Sequence, residues 1–117
     1  MQIVGSWNFS DIRRSVEELC QDIHKWAIEK GFWDIDRNDG ECIALMHSEL
    51  SEVLESLRNG SPPDEHCPSF NNTEIELADA VIRIMDFCAA RGLRLPEAIQ
   101  AKMNYNVTRP YKHGKKF

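Results

Sequence analysis

Apolar residues recur at intervals of three and four along most of the chain, the spacing that lines one face of an α-helix. Ile12, Val16, Leu19, Ile23 and Trp26 form the first such stripe, with Ser10 placed to cap its start and Gly31 to stop it. Trp26, at helical spacing from Leu19 and Ile23, reads as a core residue. A turn-rich stretch, Trp33 to Gly40, leads into a second helix from about Glu41 to Arg58. Ile43, Met46, Leu50, Val53 and Leu57 share its apolar face, and Asn59-Gly60 ends it. A 14-residue loop with three prolines follows, Gly60 to Thr73. Loops this long in a compact domain are usually functional or mobile. The third helix runs from about Thr73 to Arg91 and stops at Gly92, and Pro96 opens a short fourth one carrying Ile99 and Met103. No strand, repeat or low-complexity segment is legible. The pattern predicts an all-α fold, a bundle, in one domain spanning residues 1–117.

The same geometry sorts the acids. At about 100° per residue, Leu50, Val53 and Leu57 fall within about 40° of Met46. Glu49 lies about 60° to one side with Leu45 beyond it, so apolar neighbours enclose it. Glu52 shares that flank, whereas Glu55 lies opposite and reads as a solvated charge. On the third helix, apolar residues cover most of the circumference and confine Glu76, Asp79, Arg83 and Asp86 to a stripe about 80° wide. A helix apolar nearly all round is buried on several sides, which makes this one central, part of an oligomer interface, or both. Its carboxylates then need partners or a cation, because a buried charge is costly.

Composition narrows the class. The 117 residues are 42% hydrophobic and 28% charged, which excludes disorder and leaves room for one core. No apolar run is long enough for a membrane span, and the first residues lack the apolar core of a signal peptide. Cys20, Cys42, Cys67 and Cys88 contain no C-x-x-C pair and read as reduced thiols, which points to the cytoplasm. His66-Cys67 is a weak metal signal. The net charge of −5 argues against general nucleic-acid binding. It is also uneven. Lys102, Arg109, Lys112, Lys115 and Lys116 give residues 102–117 a charge of +5 with no acid, so the total of −5 leaves −10 on the rest.

Two helices that each present an i, i+3 acidic pair, Glu49/Glu52 and Glu76/Asp79, can gather four oxygen donors around Mg²⁺, a hard ion that keeps waters and substrate phosphates in its shell. The competing reading makes Thr73-x-x-Glu76 a capping box, with Glu76 a helix-start residue.

Glu49-Leu-Ser-Glu52 followed by Glu76-Leu-Ala-Asp79 resembles the E-x-x-E…E-x-x-D signature of the all-α, MazG-like nucleoside triphosphate pyrophosphohydrolases. The segment from Lys102 to Lys115 is similar to the K-x-x-x-N-x-x-R-P…H-G-K ending of their short, single-domain members. The resemblance spans about Ile12 to Phe117. It implies a four-helix-bundle-like protomer assembled as a homodimer or as a tetramer built from two dimers. It implies hydrolysis of a (deoxy)nucleoside triphosphate to monophosphate and pyrophosphate with Mg²⁺, or Mn²⁺ in its place. Glu49, Glu52, Glu76 and Asp79 would ligate the metal, a metal-activated water would attack the α-phosphorus, and Glu49 would orient or deprotonate that water. His24 and Trp33 match positions that flank the base, and Asn106 one that touches the nucleoside. Lys102, one helical turn before Asn106, can reach phosphate. Arg109 and Lys115 suit phosphate by charge, while Lys112 and Lys116 read as solvated. The aromatic residue that some relatives carry four positions after the last acid is Arg83 here.

Three other readings compete. A phosphoribosyl-ATP pyrophosphohydrolase shares the acidic helical core. A helical interaction module would use the apolar helix only for assembly and the tail as a weak anion binder. A di-iron bundle needs Glu-x-x-His on two helices, and no Glu here has His three residues on.

Overall fold

The computed structural model describes residues 9–117. They form four α-helices: α1 (Phe9–Glu29), α2 (Asp39–Arg58), α3 (Asn72–Arg91) and α4 (Leu95–Val107), with a short 3-10 turn at Tyr111–Gly114. The described residues are therefore all-helical, as the periodicity predicts. Gly31 (φ 85°) and Gly92 (φ 65°) stop α1 and α3 in the left-handed region that glycine enters without steric cost.

The helix starts differ from expectation, because short polar side chains compete for them. Asn38 Oδ1 accepts the Glu41 N–H at 2.8 Å, so α2 begins at Asp39 rather than Glu41. Asn71 Oδ1 accepts the Glu74 N–H at 2.8 Å and caps α3 in the same way. Thr73 is consequently inside the helix, and no Thr73–Glu76 capping box forms. Its hydroxyl instead bonds Ser56 (2.9 Å) and Ser61 (2.7 Å), joining α3 to the end of α2. Ser10 likewise lies within α1, which has already begun at Phe9.

α3 packs against both α1 and α2, and α4 rests on α1. Early residues of α2 meet late residues of α3, as Asp39–Arg91, Glu49–Arg83 and Ser56–Thr73 show, so the two helices run antiparallel. The loop between them is closed by an antiparallel bridge, Pro63 with Asn71, and by the Asn72 N–H donating to the Pro62 carbonyl at 2.7 Å.

The core formed by the described residues is thin. Its buried apolar side chains are small ones: Cys20, Ala27, Cys42, Val53, Ala80 and Cys88. Trp26, expected in the core, is 47% exposed, and Leu50 (52%), Leu54 (51%) and Leu57 (55%) stand half out of α2. A helical stripe marks a surface that favours burial; it does not guarantee a partner within the same chain. The four cysteines are free thiols, and Cys67 is the exposed one. No helix among the described residues is long and apolar enough to cross a membrane.

Candidate active site

Antiparallel packing of α2 on α3 sets the two acidic pairs face to face. One carboxylate oxygen each from Glu49, Glu76 and Asp79 lies within 4.8 Å of the others. Glu52 joins them electrostatically. Hydrogen bonding with Glu76 pushes its carboxyl above the usual range, helped by burial and by the charge of Glu49. Asp79, though exposed, is also pushed up, first by partial desolvation and then by the charges of Glu49 and Glu52. In both, the neighbouring negative charges add to the shift, and a proton or a cation relieves that part of it. Glu76 Oε2 is buried without a hydrogen-bond partner among the described residues. With Asn71 capping α3, that carboxylate has no role at the helix start, and an orphaned buried acceptor is expensive to keep. The donor set, hard carboxylate oxygens on two rigid helices, fits Mg²⁺.

Glu49 is not simply enclosed by apolar groups, as its own helical wheel implies. Arg83 Nε donates to Glu49 Oε1 at 2.7 Å across the α2–α3 interface. A wheel of one helix cannot show what a neighbouring helix contributes.

Two polar residues at the loop's end carry no signal in the periodicity. Asp64 is buried and accepts the backbone N–H groups of His66 (3.0 Å) and Cys67 (2.8 Å) and the side-chain amide of Asn72 (2.9 Å). The Asn72 bond, then the Cys67 amide, holds Asp64 below the usual carboxylate range. The same Asn72 amide lies 3.4 Å from Glu76 Oε1, so the loop is tied to a cluster carboxylate.

A cleft of about 240 Å³ runs from the acids toward α1. Glu49, Asp79 and Arg83 line its polar end, and Ile23, Ala27, Phe32 and Ile82 are on its apolar wall. Trp26 contributes aromatic surface, its ring centroid 5.8 Å from that of Phe32. His24 and Trp33 do come together, but on Asp86. His24 Nδ1 is 2.8 Å from Asp86 Oδ1, and Trp33 Nε1 donates to both carboxylate oxygens at 3.0 Å. Their rings meet edge to face at 5.6 Å. Asp86 lines the cleft and Trp33 a small adjoining recess, so this pair supports the cleft from behind.

The tail residues gather elsewhere. Lys102 Nζ lies 4.8 Å and Arg109 Cζ 5.5 Å from the centre of the Tyr105 ring, and Arg109 donates to Asn106 Oδ1 at 3.5 Å. His113, though exposed, is pushed below its ordinary value by desolvation and then by the charges of Arg109, Lys115 and Lys102. None of Lys102, Asn106, Arg109 and Lys115 lines the cleft of its own chain.

No protein family, curated protein or solved structure matches the chain.

Proposed function

We propose that the chain is a Mg²⁺-dependent hydrolase that cleaves a (deoxy)nucleoside triphosphate to monophosphate and pyrophosphate, the activity of the MazG-like enzymes its motifs resemble. The observation that carries this reading is the convergence of Glu49, Glu76 and Asp79 within 4.8 Å, beside a buried Glu76 oxygen that lacks a partner. Glu49, Glu52, Glu76 and Asp79 would hold Mg²⁺, or Mn²⁺ in its place. Bound there, the ion supplies positive charge against the phosphates. Glu49, steadied by Arg83, orients a water toward the α-phosphorus. The new P–O bond forms as the bond to the α,β-bridging oxygen breaks, pyrophosphate leaves, and the water's proton passes to a carboxylate. No covalent intermediate is needed, because positioning and charge neutralisation supply the catalysis.

The cleft takes the base, and His24 and Trp33 brace its wall through Asp86. Lys102, Asn106, Arg109 and Lys115 act on phosphate from a second copy of the chain, since in their own chain they lie apart from the carboxylates. The half-exposed leucines of α2 support that assembly, a homodimer or a tetramer built from two dimers. The reading places the protein in the cytoplasm, acting on free nucleotides and not on nucleic acid.

A panel of nucleoside triphosphates and phosphoribosyl-ATP with Mg²⁺, resolving pyrophosphate from orthophosphate, tests the proposal. Pyrophosphate should be the primary product and should vanish with Glu49→Gln. Turnover of phosphoribosyl-ATP alone would move the chain to that activity. No turnover of any substrate would leave a helical interaction module.

A further inference from the structure

The cleft's polar residues differ in how much hydrogen-bonding capacity they have left. Arg83 binds Glu49 through Nε, and among the described residues neither of its terminal nitrogens has an acceptor. Four N–H donors therefore remain on a guanidinium that lines the cleft, where the acids meet the apolar wall. Arg37 adds a second guanidinium, its Cζ 5.9 Å above the Phe32 ring on the same wall. The cleft's carboxylates are drawn to other partners. Asp86 already takes His24 Nδ1 at 2.8 Å and Trp33 Nε1 at 3.0 Å on both oxygens. Glu49 has Arg83, and with Asp79 it is assigned to the metal. A cleft of about 240 Å³ has room for a planar ring but falls short of the roughly 300–1,000 Å³ of whole-ligand pockets.

We infer that Arg83 is a specificity-determining residue that reads the edge of the base, making the cleft select keto bases over amino bases. The inference rests on the nucleotide reading above and names the substrate class within it. A base carrying a carbonyl oxygen beside a ring nitrogen, as guanine and hypoxanthine do, presents two acceptors that match the guanidinium fork. Adenine puts an amino group at the same place, and its N–H donors would face the donors of Arg83. The Nε anchor on Glu49 fixes the fork, so the contact that steadies the water-orienting carboxylate also positions the base reader.

Deoxyinosine and deoxyadenosine triphosphates differ chiefly at this edge, and their non-hydrolysable α,β-methylene analogues separate binding from turnover. Calorimetry in Mg²⁺ should show the inosine analogue binding about tenfold or more tighter than the adenosine analogue. Arg83→Met should bring the two within about twofold. Arg83→Lys keeps a cation beside Glu49 but lacks the fork. It should retain Mg²⁺ affinity, measured directly without nucleotide, and still lose the discrimination. Equal binding of the two analogues by the unaltered protein, a preference for adenosine, or an Arg83→Met or Arg83→Lys protein that keeps the inosine preference would overturn the inference. If pyrophosphate release proceeds without a keto preference, the inference alone fails. If neither analogue binds, it fails together with the nucleotide reading.

Discussion

One side-chain amide connects the proline-rich loop to the acidic cluster. Asn72 donates to Asp64 at 2.9 Å and lies 3.4 Å from Glu76 Oε1. Replacing a group that hydrogen-bonds a metal ligand typically costs about 10–100-fold in metal affinity. Asn72→Ala should therefore weaken Mg²⁺ binding roughly tenfold or more by calorimetry while leaving the helical content intact; unchanged affinity would remove Asn72 from the site. The cluster also sets a pH dependence. Glu52 and Asp79 are pushed up, so the folded, metal-free protein keeps protons that the unfolded chain has released. Their effect is a stability that declines as pH rises from the ordinary carboxylate range through those raised values. Asp64, pushed down, acts in the opposite sense and loses its contribution as pH falls through its lowered value. Thermal midpoints of the metal-free protein should decline with rising pH just above the ordinary carboxylate range, and saturating Mg²⁺ should flatten the decline. A midpoint indifferent to both pH and Mg²⁺ would contradict the metal assignment. The two i, i+3 pairs were legible in the sequence because helix geometry alone puts both members on one flank. The Arg83–Glu49 bond and the Asp64–Asn72–Glu76 chain were not, because each depends on how separate elements meet.

Elements follow the same division. The bodies of all four helices are written in their apolar spacing, and Gly31 and Gly92 end α1 and α3 as expected. The starts are less legible, since Asn71, Asn72 and Thr73 stand side by side and each can cap. Asn71 does, which leaves Thr73 free to bond Ser56 and Ser61 and leaves Glu76 to the cluster. Asn71→Ala should cost about 1 kcal/mol of stability in urea unfolding. Thr73→Ala should act through a different contact, loosening the junction of α3 with the end of α2 without removing the cap. If Thr73→Ala instead unwinds the first turn of α3, by amide hydrogen exchange at residues 72–76, the cap has been assigned to the wrong residue.

At the scale of the molecule, the charge split and the thin core belong together. The acidic body gathers carboxylates between α2 and α3, and the basic tail gathers cations around Tyr105, outside the cleft of its own chain. A second copy would supply the tail to the cleft and cover the leucines of α2. Sedimentation equilibrium should show a dimer or tetramer, and Leu54→Lys with Leu57→Lys should shift it toward monomer. A monomer at all concentrations would leave the tail without a phosphate to meet. The nearly all-round apolar α3 raised the expectation of assembly, but the exposure of Trp26 and Leu57 was hidden, since periodicity records which face is apolar and not what covers it. The central claim, attack of water on the α-phosphorus beside the Glu49, Glu52, Glu76 and Asp79 cluster, is tested most directly by running the reaction in ¹⁸O-water with Mg²⁺. Label should appear in the nucleoside monophosphate and not in pyrophosphate, and Glu76→Gln with Asp79→Asn should abolish its incorporation. Label in pyrophosphate, release of orthophosphate as the primary product, or undiminished incorporation by the double variant would contradict it.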